Sequence, residues 1–478
     1  MSPQPSEHRT EQRGLRLWHI RRVLTLAFAV ALLVAVAVFA TAWTLLGAEG
    51  LKPEHRIDSQ TLFDLVKLSF GVVAGAGALV ALVVAYRRQR VDEDGALREA
   101  TRLHTERFTT AAGQLGNESA AVRLSGVHAL AGLADDAPTR ALRQTCIDVL
   151  CAYLRLPYTA EADLPADDAE ARHTYLSLRE VRHTAIRLIR DHLRLDRGHP
   201  HSWQGHDFDF TGVVFDGGNF TEATFSGGMV SFDEATFTGD KVSFMRASFS
   251  GGRVHFDGAK FAGGTVYFDE ATFTDGEVFF TGAEFSGSTV RFNGAEFTGG
   301  MVEFVDASFS DGRVLFNRAD FSTNTVYFNR TTYSGGTVEF RGASFSGATV
   351  HFNAAKFSGG TVHFNAADFS SGFVYFTVAE FSDGAVDFRY AEFSGSTVHF
   401  TGAIFSGATV RFETKFSSGR ISFEAASFRH GTVDFSRAIL SGGTVDFPNV
   451  IGRVPPLPPE GSRPATVIRS MARPGTQQ

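Results

Sequence analysis

The chain has 478 residues, a formal charge of −7, two cysteines, and 47 Phe and 49 Gly beside only 9 Tyr and 3 Trp. At 43% hydrophobic residues it is too apolar for wholesale disorder and too polar for a membrane protein that is apolar throughout, and its length means two or three domains or one long repeat array. The mild negative charge predicts no global attraction to nucleic acid, and Cys146 and Cys151, alone and close in sequence, exclude a disulfide framework and point to a reducing compartment.

Residues 1–17 read as a basic cytoplasmic tail. From Val23 to Leu46 no residue is charged, and at a 1.5 Å rise this stretch covers about 36 Å, which predicts a transmembrane helix within 18–46 with Trp18 and Trp43 at its interfaces. A second apolar segment, Leu68 to Tyr86, predicts a second spanning helix over 62–86, with Gly71, Gly75 and Gly77 allowing close helix approach. Residues 47–61 form the short extracytoplasmic loop between them. Arg9, Arg13, Arg16, Arg21 and Arg22 precede the first span, and Arg87, Arg88 and Arg90 follow the second. The loop carries only Lys52 and Arg56, so the excess of basic residues puts both flanks in the cytoplasm. The expectation is a multi-pass inner-membrane protein with cytoplasmic N- and C-terminal regions.

Residues 91–196 read as a helical connector. Leu97, Ala100, His104, Phe108, Ala111 and Leu115 recur at three- and four-residue steps, Gly116 stops that helix, and Asn117 is placed to cap the next. Val122, Leu124, Val127, Leu130 and Leu133 mark a second helix. A third covers roughly Thr139 to Leu156, and a fourth about Asp168 to Leu195. Short turns between them predict a small bundle or a pair of helical hairpins. The segments AVRLSGVHALAGLADD and RQTCIDVLCAYLRLPY resemble a helical region of bacterial membrane proteins that precedes pentapeptide repeats; this resemblance implies no activity. His199, His201 and His206 follow, with no Cys near enough to complete a zinc site, and read as a polar linker.

From Phe208 the chain changes character. Phe210, Phe215, Phe220 and Phe225 are spaced by five, after which the spacing alternates between seven and five, giving a twelve-residue unit. Its form, V-x-F-x-x-A-x-F-S-G-G-T, is plain in VHFDGAKFAGGT and VYFDEATFTDGE. Residues two apart point to one side of a strand, so Val with Phe, and Ala with Phe, form inward pairs. The intervening steps are corners, and Gly-Gly makes a roomier corner that permits positive φ. This pattern resembles the pentapeptide-repeat family, whose small residue at i−2 and Leu or Phe at i point into a square, right-handed β-helix. The resemblance implies a quadrilateral solenoid over 208–450, two units making one coil of about 24 residues, with insertions the family's pure five-residue phase lacks. A flat coil of twelve residues is the rival; it would have to enclose two Phe, a Val and an Ala, and their bulk decides against it. The expected fold class is thus two transmembrane α-helices, a small all-α domain and a right-handed quadrilateral β-helix, followed at 451–478 by a Pro-rich tail read as disordered or extended.

Chemistry should show as a break in the repeat with convergent polar groups. The breaks are Thr323–Asn324 in place of Gly-Gly, the extra outward aromatic Phe373, and one residue lost between Phe412 and Phe416. None gathers a nucleophile, a base and an orienting group. His351 and His363 should face opposite sides, while His351 and His399 share a side two coils apart, about 10 Å, too far to share a metal. No catalytic residue, cofactor-binding residue or metal ligand is assigned, and an enzyme is not expected. Residues 208–450 hold 27 acidic and 16 basic residues, interspersed. The leading expectation is a membrane-tethered cytoplasmic scaffold that presents a rigid surface to an unidentified protein partner, without direct nucleic-acid binding. Two alternatives stand beside it: an acidic DNA mimic binding a topoisomerase, as in some pentapeptide-repeat proteins, and an envelope or stress sensor.

Overall fold

The computed structural model describes residues 59–457 apart from Thr323, a strand at Thr466–Met471, and scattered helical positions between 29 and 44. Two compact units result, Met1–Leu103 and His104–Gln478. Helix α1, Ser59–Leu115, begins in the first and ends in the second.

The membrane expectation is corrected here. Among the described residues no helix is long and apolar enough to cross a membrane. The apolar segment 68–86 does not form an element of its own: α1 continues without a break past Tyr86 through Arg87, Arg88 and Arg90 to Leu115. Apolar patterning alone therefore misjudged where that helix begins and ends. Most of the first expected span, 18–46, and residues 47–58 of the expected loop 47–61 lie outside the described residues. The inner-membrane localisation drawn from these segments falls with the spans.

In the second unit α1 is followed by α2 (Ala120–Asp135), α3 (Arg140–Arg155) and α4 (Ala169–Leu193). Thr139 caps α3 through the Leu142 N–H, and Asp168 caps α4 through the Glu170 and Ala171 N–H groups. Asn117 instead accepts from the Ser119 N–H, closing the turn before α2. Cys146 and Cys151 are free and buried together with Ile147, Leu150 and Leu154 on the inner face of α3. Burial pushes the Cys146 thiol up to about 11 and raises Cys151 further, so both stay protonated and inert.

The rest of the unit is a right-handed β-solenoid of about ten turns. Each coil has four sides, all paired in parallel with the coils above and below. Side I carries strands such as Met229–Ser231 and Arg253–His255; side II, Thr236–Phe237 and Lys260–Phe261; side III, Lys241–Ser243 and Thr265–Tyr267; side IV, Ser248–Ser250 and Thr272–Thr274. The register is 24 residues for most coils, as in Lys260 beside Glu284 and Val254 beside Val278. It is shorter at the first coil, where Phe208 meets Val230, and at the lost residue, where Phe393 meets Phe416.

Four ladders of Phe fill the interior. Phe304, Phe328 and Phe352 stack at 4.9 and 4.8 Å within 8° of parallel, and equivalent rings repeat this along the axis. These separations match the spacing between paired strands, so ring stacking and backbone pairing satisfy one geometry. Val ladders on sides I and III and Ala ladders between them complete a core whose members are almost wholly excluded from water. Tyr333 takes a Phe position between Phe309 and Phe357.

Glycine is required at several places in one column of the corner between sides IV and I. A Cβ on Gly252 would lie 2.3 Å from the Gly228 carbonyl oxygen, and one on Gly276 2.6 Å from that of Gly252. The next places in that column belong to Gly300 and Asn324. Asn324 is buried, and its side-chain oxygen accepts the Gly300 N–H at 2.7 Å. Around this break side IV loses its strands and is held by isolated bridges from Glu296 through Asp320 and Ser344 to Asp368. At the far end Leu440 continues a Phe ladder, and strand Thr444–Gly452 pairs with Thr466–Met471, which supplies one more layer from the Pro-rich segment.

Candidate functional site

An open coil exposes unpaired backbone groups, and the helices cover the first one. Buried Arg182 on α4 donates to the carbonyls of Leu154 (2.6 Å) and Val214 (2.7 Å) and lies over the Tyr158 ring, joining α3, α4 and side II. Buried Asp216 accepts from Tyr158 (2.6 Å) and Tyr175 (2.8 Å), with His183 3.6 Å and Arg179 3.8 Å away. Burial alone would raise this carboxyl; the nearby His183 and the hydrogen bonds from Tyr158 and Tyr175 outweigh it and hold Asp216 at about 2.

A second latch holds the segment between α4 and the solenoid. Trp203 is fully buried, stacks on His192 at 4.1 Å, and donates from Nε1 to Asp135. His192 reaches the Leu188 carbonyl with Nδ1 and Asp135 with Nε2. Burial disfavours its charge, but both nitrogens face acceptors and the imidazole is held above its ordinary range. His199, His201 and His206 do not converge. The first two rings meet edge-on, while His206 Nδ1 donates to Gln144 Oε1, and burial followed by the charges of Arg140 and Arg143 depresses it to about 4. This segment is thus a packed joint; the indole needed the half-buried carboxylate of Asp135 on α2 as a partner, and no local spacing signals that.

On the outside of the solenoid some charges pair, mostly from coil to coil, as in Arg253–Glu277, Arg330–Asp306 and Arg420–Asp446, but the acidic residues of 208–450 outnumber the basic ones by 27 to 16. The acidic row on side IV, Glu296 and Asp320 then Asp368 and Glu392, is interrupted by Ser344 and ends at Lys415. His351 and His363 lie on sides I and III. Asp233, His255 and Asp257, to which no role was assigned from sequence, offer three ligand atoms within 4.8 Å of one another beside side I. One oxygen of each carboxylate already accepts a backbone N–H, from Asp257 and Thr281 respectively.

The feature that departs from the Ser- and Thr-rich exterior is on side I. In the outward row after each Val, Tyr327, His351, Tyr375 and His399 form a continuous stack with centroids 4.9, 5.0 and 5.1 Å apart. The same row opens with His255 stacked on Phe279 at 4.8 Å. Phe373, in the neighbouring row, is 47% exposed and lies beside Tyr375 at 6.1 Å. Burial lowers His351 and, with Arg420, His399, so both rings are uncharged at neutral pH and the strip is aromatic without charge. Val378, at the adjoining corner, is exposed and holds φ 51°, a conformation that glycine takes at equivalent corners such as Gly282 and Gly402. A β-branched residue is strained there.

The fold and its regularly spaced Phe define a repeat β-solenoid, consistent with a pentapeptide-repeat protein. No protein-family model and no curated protein matches this chain.

Proposed function

We propose that the chain is a pentapeptide-repeat protein acting as a non-catalytic interaction scaffold, and that side I between coils 325 and 399 is its recognition face for a protein partner. The observation that carries this reading is the half-exposed stack Tyr327–His351–Tyr375–His399 with Phe373 and strained Val378 beside it. Rigid aromatic side chains supply contact area at little entropic cost, and interfaces are enriched in them. The stacked strands hold them at fixed spacing, so recognition requires no prior ordering. The interrupted acidic row on side IV lends no support to a DNA mimic, which would need a continuous one.

The test is site-specific photocrosslinking in the source cell. A benzophenone side chain at Tyr375 should capture one defined protein, and the same probe at His363 on side III should not. Equal capture from both positions, or capture at Tyr375 that survives Tyr327→Ser with Phe373→Ser, overturns the assignment.

A further inference from the structure

A cleft of about 270 Å³ lies where α4 crosses side III of the first coils, lined by His183, Arg187, Arg190, Gly218, Asn219, Lys241 and Ser243. No carboxylate is among its lining residues. The surrounding acids are already engaged: Asp191 with Arg190 at 2.6 Å, Asp240 with Arg179 at 3.7 Å, and Asp216 with its tyrosines and His183. Arg187 and Lys241 make no ion pair among the described residues. Arg187 donates to Thr184 Oγ1 at 3.2 Å, and the Lys241 ammonium rests over the Tyr267 ring at 4.9 Å. Both cations are thus held by neutral neighbours from two different elements. Asn219 uses its oxygen to accept the Thr221 N–H, which leaves its amide NH₂ as a further donor at the cleft.

The close approach of helix and coil is built into the backbone. Gly217 and Gly218 have φ of 142° and 146°, and a Cβ at Gly217 would lie 3.1 Å from the His183 ring. A side chain there would crowd the His183 ring at the edge of the cleft and force it to shift.

We propose that this cleft binds a small phosphate-bearing anion. A guanidinium fork and an ammonium point charge, uncompensated and facing one space, match the dianion of a phosphomonoester better than a monoanionic carboxylate. The volume admits a sugar phosphate and is too small for a dinucleotide. The site lies off side I and is independent of the recognition face.

Calorimetric titration of the full chain with inorganic phosphate, glucose 6-phosphate and acetate tests this. Either phosphate compound should bind saturably at one site, and acetate should not. Arg187→Gln with Lys241→Gln should weaken binding about tenfold or more, while Lys260→Gln on side II leaves it unchanged. Arg187 and Lys241 are exposed, so the double variant should keep the parent's thermal melt and report on binding alone. Absence of saturable binding by both phosphate compounds overturns the proposal, as does acetate binding as tightly, or a double variant that binds like the parent.

Discussion

The helical cap and the solenoid solve the same problem in opposite ways. Both exclude water from a continuous core, but where the cap meets the first coil two charges, Arg182 and Asp216, are buried, and the half-buried His192–Asp135 pair lies within the cap, each with a specific partner. The solenoid interior is filled by apolar side chains that repeat one contact many times, and its buried carboxylates Asp269, Asp387 and Asp446 each lie beside an arginine at the coil surface. The cap should therefore respond to pH and to single polar changes. The solenoid should respond to breaks in its ladders and scarcely to its surface charges, since exposed pairs are worth well under ~1 kcal/mol.

The largest effect is expected from Phe328→Asp. It places an unpaired carboxylate inside the solenoid, between Phe304 and Phe352, at a cost above about 4 kcal/mol. Thermal melting should show unfolding or local opening, and a melt like the parent's would show that this ring does not point inward.

Asp216→Asn probes the cap. The folded carboxyl sits at about 2 against an ordinary 3.8, so it contributes stability above pH 4 that is lost as pH falls through 2. That difference corresponds to about 2 kcal/mol. Denaturant titrations should show the parent losing it between pH 4 and 2 while the Asn variant lacks that slope. Of similar size is Gly276→Ala, which sets a methyl against the Gly252 carbonyl and should cost about 1–3 kcal/mol. Gly251→Ala, in open space with φ 63°, should cost only about 1 kcal/mol. Val378→Gly has the opposite sign: relief of the positive φ should stabilise the solenoid by a few tenths to about 1 kcal/mol while weakening capture on side I.

Much of this solenoid was legible because its signal is local and repeated. The alternation of Val, Phe, Ala and Phe every twelve residues places each ring inward before any partner is known. The side I strip was within reach: His351 and His399 were seen to share a side, and reading the same outward position in every second unit adds Tyr327 and Tyr375. The cap was not legible. The partners of Asp216 come from two helices, and Trp203 meets Asp135 across a fold that neither residue encodes locally. The second expected spanning helix erred for the converse reason, since an apolar run was taken as a complete element when it belongs to one longer helix.

Residues 375 and 376 are neighbours that the account assigns to different tasks. Tyr375 faces outward in the side I stack, and Phe376 faces inward between Phe352 and Phe400. Measuring the thermal melt and partner capture of Tyr375→Ser and Phe376→Ser side by side, with the photoprobe at His351 in both, tests that division. The account predicts that Tyr375→Ser keeps the parent's melt and loses capture, while Phe376→Ser lowers the melt sharply. A Tyr375→Ser protein that still captures its partner, or a Phe376→Ser protein that melts like the parent, would contradict it.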